Sequence, residues 1–160
     1  MSFRFKGSVC SDLDDIKIFI QDVLDKLDDY IKDENLMFDL KLILNELVIN
    51  SVIHGNKCNR NKCVDLYLEI VGNIIRIEVS DEGQGVNFDI SSYKPEELKC
   101  CGRGLVIVNG LSDEVYIDKN RVIAVKYMSW IRKDYSMNNE LAGIITLPLY
   151  FILSFLYNLW

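Results

Sequence analysis

Three groups of residues in this chain have types and spacings that could do chemistry, and they follow one another within about 60 positions. The first lies in "LILNELVINSVIHGN", Leu42 to Asn56, an apolar run that carries Glu46, Asn50 and the only histidine, His54. At 100° per residue these three form a stripe along the edge of an apolar helix face. A carboxylate and a carboxamide one turn apart suit phosphoryl transfer. The amide oxygen can hold Mg²⁺ against phosphates while the carboxylate orients or deprotonates an attacking hydroxyl. The same pair is common on an ordinary solvated helix edge, and a histidine ahead of a helix-ending Gly55 reads as a C-terminal cap rather than a catalyst.

The second group is "SDEGQGV", directly after an expected strand. Asp81 at a strand end can accept a hydrogen bond from the exocyclic amine of a purine. Gly83 and Gly85 let the backbone approach a flat ring or adopt positive φ. A plain glycine turn is the competing reading. The third is "CCGRGLVIV", where Gly102 and Gly104 lead into a helix that begins near Leu105. Free backbone N–H groups at such a start suit phosphate, and Arg103 adds charge. Each motif is weak alone; their order makes them jointly strong.

The elements that must position them follow from periodicity. Ser11 opens an amphipathic helix as its N-cap, with Asp12, Asp14 and Asp15 in the first turn and Ile16, Ile20, Val23, Leu24 and Leu27 at helical spacing. A second helix runs from about Glu34 to His54, with Gly55 as its stop. "VDLYLEIV" and "IIRIEVS" alternate as strands around Gly72-Asn73, a tight-hairpin signal. After a loop that holds four of the nine glycines come a short helix, Leu105 to Leu111, and two strands, Glu114 to Asp118 and Arg121 to Met128, around Lys119-Asn120. The tally is an α+β two-layer domain.

A chain of 160 residues, 49% hydrophobic and 26% charged, suits one globular domain with appendages. Its net charge of −6 and the absence of a basic block argue against direct nucleic-acid binding. Five cysteines, an odd count, and no apolar leader point to reduced thiols in a cytoplasm. Neither Cys58/Cys63 nor Cys100/Cys101 has the spacing of a zinc site. We divide the chain into a domain over 1–133, a linker over 134–140 and a charge-free tail over 141–160. That tail, "LAGIITLPLYFILSFLYNLW", is about 30 Å long as a helix, the thickness of a bilayer core. It reads as a membrane anchor, a partner or dimer surface, or a helix packed on the domain.

"NELVINSVIHGN", "DEGQGV" and "GRGLVIV" resemble the N-box and the two glycine boxes of the GHKL ATPase superfamily. The size and the wording of the first box are most similar to the bacterial anti-sigma factor serine kinases. The resemblance spans about residues 8 to 130. It implies the Bergerat fold, a two-layer α/β sandwich with a mixed sheet, helices on one face and ATP beneath a lid at roughly Phe88 to Cys101. It also implies that Glu46 is the catalytic base and Asn50 the Mg²⁺ ligand, and that Asp81 contacts adenine with Gly83 and Gly85 beside it. Gly102, Arg103, Gly104 and Leu105 would lie at the phosphates. Implied too are a sigma factor and an anti-anti-sigma antagonist as partners, and a homodimer. Two departures stand out. Lys99, Cys100 and Cys101 occupy the place where some relatives carry an arginine, and "NRVIAVKY" replaces a Gly-Thr signature near the last strand. The first bears on transfer more than on nucleotide binding, since charge at the terminal phosphate acts mainly in the transition state.

Overall fold

The computed structural model describes residues 2–85 and 103–128. The chain divides into a unit spanning Met1–Trp130 and a second unit, Ile131–Trp160, outside the described residues. In the first, strand β1 (Ser2–Cys10) precedes helices α1 (Leu13–Asp28) and α2 (Glu34–Asn50). Strands β2 (Cys63–Val71) and β3 (Ile74–Asp81) follow, then α3 (Arg103–Leu111), β4 (Glu114–Asp118) and β5 (Arg121–Tyr127). The five strands order as β1-β2-β3-β5-β4, and every pairing among them is antiparallel. The two-layer α+β architecture is the expected one, but the sheet is not mixed.

The alternation in β2 and β3 seats one face of the sheet in the core, with Val64, Leu66, Leu68, Ile70, Ile75, Ile77 and Val79 buried. Against it pack Ile16, Ile20, Val23 and Leu27 from α1 and Leu40, Ile43, Leu44 and Leu47 from α2, each at most 4% exposed. Gly72 takes a φ of +61° in the β2–β3 hairpin, as the dipeptide predicts. β1 is absent from the expected tally. Its alternation, Phe3-Arg4-Phe5-Lys6, breaks at Gly7, where a Cβ would come within 2.9 Å of the Phe5 and Phe19 rings.

The start of α1 needs a correction. Asp12, not Ser11, is the N-cap, its carboxylate accepting from the Asp14 amide at 3.1 Å. Ser11 is buried, and its hydroxyl donates to the carbonyl of Lys62 at 3.0 Å. The end of α2 differs as well. The helix widens into a π turn over Ser51–Gly55, closed by Asn56 N–H to the Ser51 carbonyl at 2.7 Å. The chain then reverses through Lys57 and Cys58, both left-handed at φ +56° and +55°. Gly55 therefore marks the end of the helix without supplying the left-handed residue.

Cys10 and Cys63 are register partners at the end of the β1–β2 pair, their Cα atoms 3.9 Å apart, and they are joined by a disulfide. The sequence reading, which took the five thiols as reduced, did not anticipate the pairing of Cys10 with Cys63.

A candidate nucleotide site at the end of α2

The stripe on α2 opens into a cleft of about 770 Å³ between the end of α2, the β3 end and the β4–β5 turn. Asn50, His54, Asp81, Gly83, Gly85 and Leu105 line it together with Leu47, Ile117, Lys119 and Val122. Leu47 is buried under the cleft and Asn50 is half-buried at its edge, while Glu46, also half-buried, stands one turn before Asn50 and outside the lining. His54, expected as a cap, lies in the last turn of the π segment, where it is exposed and lines the cleft.

Gly104 brings α3 onto that edge. A Cβ there would overlap the Glu46 carboxylate and lie 2.6 Å from the Asn50 amide nitrogen. The approach is held from the far side by Lys126 of β5. Its ammonium pairs with Asp39 of α2 at 2.9 Å and donates to the Leu111 carbonyl, at the C-terminus of α3, at 2.6 Å. A cation at that helix end also opposes the negative pole of the helix dipole. One lysine thus ties together the two helices that carry the first and third motifs. Glu46 has no charged partner among the described residues. Burial pushes its carboxyl above the ordinary glutamate range, since desolvation disfavours the charged form.

Asp81 ends β3 and is fixed on three sides. Its amide donates to the Asn120 carbonyl at 3.0 Å, its carbonyl accepts from the Asn120 side chain, and its carboxylate accepts from Gly83 N–H at 2.8 Å. A Cβ on Gly55 would overlap that carboxylate, and one on Gly83 would lie 2.7 Å from both Asp81 Oδ1 and the Gly55 carbonyl carbon. Gly85 takes φ +83° with its Cβ direction blocked by the Lys119 backbone at 2.7 Å. The glycines of the second motif are therefore required by close approach at Gly83 and by positive φ at Gly85.

Asn56 was missed by sequence reasoning. Only 1% exposed, its carboxamide donates to Ser11 Oγ at 3.0 Å and to the Cys63 carbonyl at 2.9 Å, and accepts from Glu82 N–H at 2.9 Å. It anchors the residue after Asp81 to the sheet. The "HGN" ending was the signal, since a polar residue just past a helix end needs a reason to be buried. Lysines were missed too. Lys57, Lys62 and Lys119 gather at the cleft of a chain whose net charge is −6, which suits a polyphosphate.

The structure brings together Glu46, Asn50 and Gly104 on one side and Asp81, Gly83 and Gly85 on the other. Arg103 opens α3. Gly102, the lid at Phe88 to Cys101 and the tail 141–160 lie outside the described residues. Among the described residues no helix is long and apolar enough to cross a membrane.

A sheet layered by helices, a helix edge bearing Glu46 and Asn50 with Gly104 against it, and the Gly83–Gly85 turn at the end of β3 are the arrangement expected of a nucleotide-binding ATPase domain. Residues 11–130 match the family model of the histidine kinase-like ATPase domain, and the chain belongs to that family. Within it, the chain is similar to the serine-protein kinase RsbW of Staphylococcus aureus, in strains JH9 and Newman alike. The identity is 31% over 111 residues, covering 63% of this chain and 70% of that protein.

Proposed function

We propose that the protein is an ATP-dependent serine kinase that also sequesters a sigma factor and phosphorylates a serine of an antagonist protein. The observation that carries this is the meeting of Glu46, Asn50 and Gly104 at the edge of a cleft that Asp81 closes on its other side.

ATP fits that cleft. Leu47, Leu105, Ile117 and Val122 offer apolar walls for a base, with Asp81 held as an acceptor for an exocyclic amine. Lys57 and Lys119 offer positive charge, and neither has a carboxylate partner among the described residues. Gly104, with no side chain, lets the backbone at the start of α3 come directly against Glu46 and Asn50, and helix starts of this kind suit phosphate. Mg²⁺ fits the donor set through the amide oxygen of Asn50, a hard ligand one turn from a carboxylate. When bound, that ion would neutralise phosphate charge as transfer proceeds. Glu46 takes the proton of the incoming serine hydroxyl. Its raised affinity for protons brings it closer to the pKa that general-base catalysis favours.

Sigma factor and antagonist would compete for one surface, so phosphorylation of the antagonist frees the kinase to hold sigma. A homodimer accords with the family resemblance, and the tail 141–160 would supply a membrane or partner contact. A second reading, a nucleotide-dependent sequestration module with little transfer, is favoured by Lys99, Cys100 and Cys101 standing where some relatives have an arginine. The test is transfer of label from γ-labelled ATP to the antagonist's serine. Label on serine supports the kinase; bound ATP with an unlabelled antagonist supports the second reading.

A further inference from the structure

We propose that Cys10 and Cys63 form a redox-responsive pair whose state is communicated through Asn56 to the nucleotide site. The proposal rests on the nucleotide-binding reading given above.

The pair sits where the chain can report on it. Cys10 is exposed at the end of β1, so a small disulfide or dithiol can reach it. Cys63 lies opposite, at the first position of β2. The residue after Cys10 is Ser11, and the buried Asn56 carboxamide donates to both Ser11 Oγ and the Cys63 carbonyl. Its one acceptor oxygen then takes Glu82 N–H at 2.9 Å, next to Asp81. A second strut runs in parallel, Cys63 N–H to the Glu82 carboxylate at 3.2 Å. The disulfide thus clamps the two partners that aim Asn56, and Asn56 fixes the loop that carries Asp81. With the bond broken, two separate thiols need more room than a bonded pair. The strand ends part, and the hydrogen bonds that hold Glu82 loosen.

The exchange balances with a low-molecular-weight disulfide such as oxidised glutathione. One cysteine thiolate attacks a sulfur of the disulfide and releases a glutathione thiolate. The second cysteine thiolate displaces the other, so that two protein thiols are oxidised, one disulfide is reduced to two glutathione thiols, and the two protons lost by the cysteines are taken up by the leaving glutathione thiolates. A dithiol reverses the reaction.

The full-length protein is treated with either oxidised glutathione or a dithiol. The oxidised sample is checked for a Cys10–Cys63 cross-linked peptide and for two fewer thiols than the five of the reduced chain. ATP affinity is then measured by calorimetry, and exchange of the Glu82 amide by NMR. The oxidised form is expected to bind ATP about fivefold more tightly, the worth of roughly one hydrogen bond, and to protect the Glu82 amide. Cys10→Ser should behave as the reduced form under both treatments. Equal affinity and equal exchange in the two states would overturn the proposal, as would failure of the cross-link to form in excess oxidant. If ATP binds in neither state, the nucleotide reading itself fails. The Glu82 exchange then decides the switch alone, a difference supporting it and equality overturning it.

Discussion

Gly104 lies so close to Glu46 that a single methyl group at position 104 would overlap the Glu46 carboxylate. The third motif of the chain is therefore packed against the first. In Gly104→Ala the carboxylate, as the far end of a flexible side chain, must swing away while the helix gains propensity worth up to about 1 kcal/mol. The expected outcome is a fold of nearly unchanged Tm with kcat at least about tenfold lower, since displacing a catalytic group by about an ångström is costly. Gly110→Ala, in the same helix with open space at its Cβ, is the control and should leave activity intact.

Glu46→Gln separates chemistry from stability. Removing the base should lower kcat about 10²- to 10⁴-fold while ATP still binds. Burial raises the folded-state pKa of Glu46, so the fold favours its protonated form. That favourable contribution is complete below the unfolded pKa and is lost as pH rises through the folded one. Thermal melts should accordingly show Glu46→Gln more stable than wild type at about pH 7, with the difference vanishing in acid. Transfer by the wild type should fall off on an acid limb placed above the ordinary glutamate range, because the base must be ionised.

Gly55 and Asp81 give a prediction that helix stop signals alone would not. In Gly55→Ala the new Cβ meets the Asp81 carboxylate, so the group proposed to contact adenine must shift. Calorimetry should show ATP affinity reduced about tenfold or more, the worth of one charge-assisted hydrogen bond. The fold itself should persist, since Gly55 does not use positive φ.

Lys126 holds α2, α3 and β5 together through Asp39 and the Leu111 carbonyl. Lys126→Met leaves Asp39 without its partner in a setting where the lysine is 18% and the aspartate 28% exposed. Denaturant melts should show a loss of about 2 kcal/mol. Activity should fall beyond what unfolding explains, because α3 no longer holds Gly104 against the Glu46 edge.

How far the sequence foretold this site depended on whether the reason for a residue was local. Helix periodicity placed Leu40, Ile43 and Leu47 inside and left Glu46 and Asn50 at the edge, because one helix face decides both. The hairpins at Gly72 and Lys119-Asn120 were legible from the turn residues and the alternation beside them. What stayed hidden was set by partners distant in sequence. Asn56 is buried because Ser11, Cys63 and Glu82 surround it, 45, 7 and 26 positions away. Gly55 is required by Asp81 rather than by the helix end. Ser11 had the chemistry of a cap but was drawn inward, and Asp12 took the role. β1 escaped because Gly7 interrupts its alternation.

The central claim is that Glu46 deprotonates a serine hydroxyl beside bound ATP. Its most direct test measures phosphate transfer from γ-labelled Mg-ATP to the serine of the antagonist at saturating nucleotide, in wild type and in Glu46→Gln with ATP occupancy matched by calorimetry. The account predicts label on serine with the wild type and a rate about 10²-fold lower or less with the variant. Equal transfer by both proteins, or none by the wild type with ATP bound, would contradict it.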